Sequence, residues 1–129
     1  MEGTKNDSDK PPLGLIDRVA LEEIAKVMAF GERKYARFNW RGGFKYSRLY
    51  DAALRHIEAF IDGEDLDEES GLSHIAHAQC CLIFLQRMIK DKPELDDRYK
   101  EQEVLPKRQA GFIIYNPKLG IPIYGPKEE

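Results

Sequence analysis

The sequence has few of the features that mark secreted, zinc-finger or membrane proteins. Only two of its 129 residues are cysteines, and Cys80 and Cys81 are adjacent, so they cannot easily form a disulfide with each other. This spacing excludes a disulfide framework and favours small packing residues in a reducing cytoplasm. No apolar run reaches the length of a transmembrane helix, and the polar start MEGTKNDSDKPP does not resemble a secretory signal.

Excess basic charge is also missing. The chain has 20 Lys and Arg against 23 Asp and Glu, which gives a formal net charge of −3. Such a charge does not favour nonspecific binding to nucleic acid, so neither nucleic acid nor a membrane is an expected partner. The length suits one domain with a core of its own. We expect a flexible leader over residues 1–12, a helical core over 13–92, and a linker with a C-terminal arm over 93–129.

The apolar pattern predicts three helices. Apolar residues recur every three or four positions over residues 19–35, 49–62 and 72–89. Asp17 is the expected cap of the first helix and Ser70 that of the third. The third helix is apolar almost all round, so it should be the most buried. Near the C-terminus, β-branched and aromatic residues flank 116–120 and predict a hairpin or an extended arm. The expected fold class is therefore an all-α helical bundle with a short C-terminal extended or hairpin segment.

All three histidines lie beside an acidic turn between the second and third predicted helices. Five of the six residues 64–69 are carboxylates, which repel one another unless cations share the site. His74 and His77 are three residues apart and so share a helix face. The pattern predicts a site for a hard divalent cation. The candidate metal ligands are Glu22, Glu23, Glu64, Asp67, His74 and His77. The candidate catalytic groups are Glu64, Glu69 and His56.

Each of these candidates has a purely structural alternative. A lone histidine on an apolar helix face is more often a core residue than a ligand, and for His56 the two interpretations are about equal. The core interpretation is weaker for His74 and His77, which share one helix face next to the acidic turn. Glu22 and Glu23 can equally belong to a solvated helix face, with Glu22 one helical turn from Lys26.

The loop over residues 36–47, ARFNWRGGFKYS, alternates cations with aromatic residues. This combination suits a nucleotide, because planar rings stack on a base and cations hold phosphate. Trp40 is the expected stacking residue, and Asn39 could bond an edge of the base. The alternative is that the aromatic residues fold back as a lid on the core. The candidate substrate-binding residues are Lys34, Tyr35, Asn39, Trp40, Arg41 and Arg55.

Three segments resemble a known family. VALEEIAKVMAFGERKY, NWRGG and DAALRHIEAFIDGEDLDEESGLSHIAHA are together similar to the phage dATP/dGTP diphosphohydrolase domain, which we take to be a relative of the all-α MazG-like nucleoside triphosphate pyrophosphohydrolases. The resemblance covers roughly residues 5–90. It implies hydrolysis of purine deoxynucleoside triphosphates to the monophosphate and pyrophosphate with Mg²⁺ or Mn²⁺. We also expect a homodimer or homotetramer in the cytoplasm, because a bundle of three short helices cannot easily cover a third helix that is apolar all round, and because the resemblance to MazG-like proteins implies dimers or larger assemblies.

One departure from the MazG-like pattern affects the metal ligands. That pattern has Glu-Glu-x-x-Glu on one helix and Glu-x-x-Asp on the next, and this chain has no such pair. The ligands named above are therefore assigned from the acidic turn, the histidines and the two glutamates of the first helix. Two other functions stay open: a His/Asp-type triphosphohydrolase, although the adjacent His-Asp pair is absent, and a non-catalytic nucleotide-binding or interaction module.

Overall fold

The computed structural model describes residues 1–101, 113–116 and 121–124. Its helices are α1, Arg18–Lys34; α2, Tyr46–Ile61; and α3, His74–Asp91. Short 3-10 turns precede α1 at Leu13–Leu15, precede α2 at Asn39–Gly42 and follow α3 at Pro93–Leu95. The expected all-α fold class is confirmed. No helix in this part of the chain has both the length and the apolarity that crossing a bilayer requires.

The helix starts show which polar residues act as caps. Asp17 caps α1 as expected, since its carboxylate accepts the backbone N–H of Ala20 at 2.9 Å. The expectation that Ser70 caps α3 is wrong. Ser73 does so, by accepting the N–H of Ala76 at 3.2 Å, and α3 starts two residues later than predicted. Ser70 is instead bonded to Asp67 inside the acidic turn.

Helix α3 packs against both of the other helices and carries most of the core. It has five buried residues, compared with one on α1 and three on α2. One buried cluster joins Val27 of α1 to Ala76 and Cys80 of α3, and Phe84 packs against it. A second cluster joins α2 to Met88, and Phe84 also packs against that one. The predicted central place of the third helix is therefore confirmed.

One face of α3 is nevertheless left uncovered. Ile75, Leu82 and Ile89 have relative exposures of 36%, 45% and 56%. They are seven residues apart, so they lie along one side of the helix. The described residues of one chain therefore leave part of this apolar helix exposed.

The chain divides into two units, Met1–Arg98 and Tyr99–Glu129. In the second unit, β1 (Ile113–Asn116) pairs antiparallel with β2 (Ile121–Tyr124), with Ile113 opposite Tyr124. This pairing agrees with the hairpin predicted for the C-terminal segment. Residues 102–112, 117–120 and 125–129 of the expected linker and arm lie outside the described residues. The division into leader, core and arm stays a prediction.

Candidate active site

Hydrogen bonds of the backbone and of one carboxylate hold the acidic turn between α2 and α3 in place. Asp67 N–H donates to the carbonyl of Leu72 at 2.8 Å, and Gly71 adopts a positive φ of 70° that glycine tolerates without strain. The carboxylate of Asp67 accepts the backbone N–H of Ser70 at 2.9 Å and the Ser70 hydroxyl at 3.1 Å. Partial burial opposes ionisation, but the two Ser70 bonds and the nearby His77 lower the pKa of Asp67 overall. This carboxylate is therefore ionised at neutral pH.

Three imidazoles meet above this turn. His56 of α2 and His74 of α3 have their Nδ1 atoms 2.8 Å apart. The ring of His77 stacks on that of His56, with centroids 4.6 Å apart and planes 10° from parallel. Burial lowers the pKa of both His56 and His77, and repulsion from the neighbouring imidazoles lowers both further. Neutral imidazoles have a free lone pair, which is the form that binds a metal or accepts a proton.

The hydrogen bonds of Ser70 fix the proton on His77. The Ser70 hydroxyl accepts the N–H of Leu72 at 3.1 Å and lies 2.7 Å from Nε2 of His77. Because the ionised Asp67 can only accept, the single hydroxyl proton of Ser70 goes to it. His77 Nε2–H must then donate to Ser70, and Nδ1 of a neutral His77 carries no proton. We infer that Ser70 orients this imidazole.

A compact group of possible metal ligands lies next to these rings. His56, Asp67 and His74 each offer a ligand atom, and these three atoms all lie within 4.8 Å of one another. His74 is only 5% exposed. Its Nε2 atom lies 3.3 Å from a carboxylate oxygen of Glu64 but forms no hydrogen bond within the described part of the chain. A buried polar atom without a partner is rare and needs an explanation. We call these three residues the His/Asp group.

A cleft of about 600 Å³ leads from this group to the loop after α1. His56, Asp67, Glu69 and His77 line one part of it. The other part is lined by polar and aromatic residues that include Lys34, Tyr35, Arg37, Phe38, Asn39 and Trp40. The Lys34 ammonium bonds the Glu69 carboxylate at 2.5 Å, and this bond raises the pKa of Lys34. This ion pair therefore connects the end of α1 to the acidic turn.

The structure brings most of the predicted site residues together. Ten of them line the cleft or surround the acidic turn: Lys34, Tyr35, Asn39, Trp40, His56, Glu64, Asp67, Glu69, His74 and His77. Four others are exposed and do not line the cleft: Glu22, Glu23, Arg41 and Arg55. Glu22 is instead paired with Arg18 one helical turn away, at 3.0 Å. The functional roles of all these residues remain predictions.

The bonding of Ser70 and the backbone conformation of Phe38 were not predicted from the sequence. Ser70 follows Asp67 by three positions, and an Asp side chain commonly bonds backbone N–H groups just ahead of it in a turn. That spacing could have identified the turn. Phe38 lines the cleft in a left-handed backbone conformation, with φ 61°. Nothing in the local sequence indicates this, because phenylalanine rarely adopts a positive φ.

Comparison with known proteins identifies the family. The model of the family described as "dATP/dGTP diphosphohydrolase, N-terminal" matches residues 1–98. The chain belongs to this dATP/dGTP diphosphohydrolase N-terminal family. A relative from Salmonella phage PMBT28, named dATP/dGTP diphosphohydrolase, is 46% identical over 98 residues, which are 76% of this chain and 33% of the relative. No solved structure matches the chain.

The residues matched by the family model include the candidate active site. The resemblance to the dATP/dGTP diphosphohydrolase domain is confirmed, whereas the relation to MazG-like proteins stays a prediction. Every residue of the His/Asp group and of the cleft lies within the matched residues 1–98. The site is therefore in the part of the chain that defines membership of the dATP/dGTP diphosphohydrolase N-terminal family. The chain spans about one third of the length of the phage relative.

Proposed function

We propose that this protein hydrolyses dATP and dGTP to the monophosphate and pyrophosphate in a metal-dependent reaction in the cytoplasm. The observation that carries this proposal is the single cleft that joins the His/Asp group to an aromatic and basic loop. Such a cleft can hold the base at one end and the phosphates at the other. The name of the phage relative supports the substrate class.

The donor set favours some divalent ions over others. Mg²⁺ prefers oxygen ligands in an octahedral arrangement, and the His/Asp group offers two imidazoles and a carboxylate already bonded to Ser70. Mg²⁺ therefore fits poorly. Two nitrogen ligands about 2.1 Å from one ion at a right angle lie about 3 Å apart, which is close to the 2.8 Å between Nδ1 of His56 and Nδ1 of His74. Mn²⁺, or a later first-row ion such as Fe²⁺, Co²⁺ or Zn²⁺, fits these donors.

The chemistry can be assigned to residues of this chain. His56, His74 and Asp67 would hold the ion, with Glu64 beside His74. A bound ion supplies charge neutralisation at the phosphates and lowers the pKa of a water. His77 is held by Ser70 with a free Nδ1, so it can accept a proton. Lys34 can bind phosphate oxygens by charge-assisted hydrogen bonds once it leaves Glu69.

The experiment is hydrolysis of each of the four dNTPs by the purified chain with Mn²⁺, Co²⁺ or Mg²⁺, with the products separated by anion-exchange chromatography. We expect dAMP or dGMP together with pyrophosphate, and more turnover with Mn²⁺ or Co²⁺ than with Mg²⁺. No turnover of any dNTP with any of these ions would contradict the proposal and favour a binding module.

A matched pair of variants tests the residue assignment. A carboxylate oxygen of Glu64 lies 3.3 Å from Nε2 of the buried His74, whereas Asp65 meets His74 through its backbone carbonyl, which accepts the His74 N–H at 3.0 Å and is kept in Asp65→Asn. Loss of a carboxylate that supports a metal ligand costs about 10- to 100-fold, so Glu64→Gln should reduce hydrolysis by about 100-fold. Asp65→Asn should be much milder. Near-normal turnover of the Glu64 variant together with an inactive Asp65 variant would contradict this assignment.

A second candidate function follows from the same donor set. Imidazole-rich ligation is what we expect of the His/Asp-type triphosphohydrolase, which would release the deoxynucleoside and inorganic triphosphate. The chromatography described above separates the two reactions, because pyrophosphate arises only in the first.

We further propose that two copies of the chain pair through α3. The exposed residues Ile75, Leu82 and Ile89 recur at the seven-residue spacing of helices that pack on each other. A surface along one helix can meet its own copy across a two-fold axis, which buries the same residues on both chains.

A further inference from the structure

A stack of side chains runs from the core to the edge of the cleft. The ring of Phe84 lies on Trp40, with centroids 4.5 Å apart and planes 15° from parallel. The guanidinium carbon of Arg41 lies 4.9 Å from the centroid of Trp40 and 5.4 Å from that of Phe38. Because Phe84 covers one face of the indole and Arg41 packs over the ring as well, little of Trp40 is open to a ligand.

Phe38 lies at the end of this stack, and neither its exposure nor its backbone conformation favours the stability of the fold. It is 60% exposed, and its backbone adopts the left-handed conformation, with φ 61° and ψ 18°. A phenylalanine gains little from burial at such exposure, and a non-glycine residue is strained at a positive φ. Strained residues of this kind cluster at ligand sites.

We propose that Phe38, rather than Trp40, is the surface on which the purine base stacks, so that the base extends the stack by one more ring. This inference rests on the proposed function, and it moves the stacking role from Trp40, the residue expected from the sequence, to Phe38. A base on Phe38 lies in the same cleft as Asn39, which follows it in the chain and can bond an edge of the base. Lys34 also lines that cleft and is bonded to Glu69 of the acidic turn, so the phosphates can extend along it toward the His/Asp group.

Two substitutions at Phe38 test the contribution of the aromatic ring independently of the left-handed backbone conformation. Phe38→Asn removes the ring but suits the left-handed conformation, which asparagine adopts more readily than most residues. Phe38→Tyr keeps the ring. The matched control is Phe60→Asn, because Phe60 is also exposed, at 44%, but lies on α2 and does not line the cleft.

The measurement is isothermal titration calorimetry with two probes in the presence of Mn²⁺: the α,β-methylene analogue of dATP, and inorganic triphosphate. Base stacking contributes enough that Phe38→Asn should weaken binding of the dATP analogue by at least about fivefold. Binding of inorganic triphosphate should not change, since it has no base. Phe38→Tyr and Phe60→Asn should bind both probes as the wild type does, and Phe38→Asn should keep the wild-type melting temperature.

Each result has a definite meaning. Equal weakening of both probes by Phe38→Asn, or no weakening of either, would overturn the proposal, as would a wild-type chain that does not bind the dATP analogue. If binding depends on Phe38 but dATP is not hydrolysed, the base site stands and the proposed hydrolysis fails. If dATP is hydrolysed but Phe38→Asn binds the analogue normally, hydrolysis stands and the base site fails.

Discussion

Replacing Asp67 by asparagine separates the two roles that this carboxylate has in the acidic turn. Its oxygen accepts two hydrogen bonds from Ser70, at 2.9 and 3.1 Å, and its side chain is only 21% exposed. The amide oxygen of asparagine can keep accepting both bonds, but it has no charge. A hydrogen bond to a charged group contributes about 1.5–3 kcal/mol and a neutral one about 0.5–1.5 kcal/mol. The free energy of unfolding should therefore fall by about 2 kcal/mol, and the chain should stay folded.

The effect of the same substitution on metal binding should be larger. Asp67 is the only carboxylate of the His/Asp group, so Asp67→Asn removes its single negative charge. Even losses outside the ligand shell cost about 10- to 100-fold, so we expect Mn²⁺ affinity to fall by at least about 100-fold. Glu68→Gln is the matched control, because it removes the same charge from the same turn outside the group.

Two measurements on each variant test this reasoning. Urea unfolding of the metal-free protein gives the change in stability, and calorimetric titration with Mn²⁺ gives the change in affinity. Asp67 is not a metal ligand if Asp67→Asn binds Mn²⁺ as tightly as the wild type, or if Glu68→Gln loses affinity to the same extent.

Three further predictions concern stability and assembly. In the folded chain the pKa values of His56 and His77 lie below the 6.5 expected in the unfolded chain. The stability of the metal-free protein should therefore be highest above about pH 6.5 and fall as the pH drops through the lowered pKa values, and a urea midpoint that is the same at pH 7.5 and pH 5.5 would contradict this. Met88 is 1% exposed, so Met88→Ala should lower the free energy of unfolding by about 2–5 kcal/mol in urea titrations. A loss well under about 1 kcal/mol would mean that the core around Met88 is not packed as described. Leu82→Lys should shift the chain from dimer to monomer in light scattering, and a wild-type chain that is already monomeric at micromolar concentration would exclude the α3 pairing.

The fold class could be predicted from the sequence because the apolar spacing and the helix cap indicated the same helices that pack together in the structure. The apolar spacing on the three helices matched their buried faces, and Asp17 capped α1 as its side chain predicts. The start of α2 was placed three residues late. Tyr46 begins that helix and is 3% exposed, and its hydroxyl donates to the carbonyl of Met88 at 3.4 Å. This contact links residues 42 positions apart, which no local pattern reports.

The candidate site was predictable in composition but not in geometry. The density of carboxylates and histidines located the acidic turn, and the structure puts His56, His74 and Asp67 within reach of one ion. The sequence did not show that Glu69 pairs with Lys34 on α1, or that Ser70 bonds His77. The Lys34–Glu69 pair joins residues 35 positions apart and depends on how α1 packs beside the turn. The Ser70–His77 contact spans only seven residues, but it depends on the exact conformation in which the turn enters α3.

Anomalous diffraction would show directly where the metal binds. Crystals of the full chain soaked in Mn²⁺ or Co²⁺ and measured at the absorption edge of each metal would show the ion itself. We predict one strong anomalous peak within bonding distance of His56, His74 and Asp67. A peak elsewhere on the chain, such as at Glu22 and Glu23 on α1, or no peak at these three residues, would contradict the account.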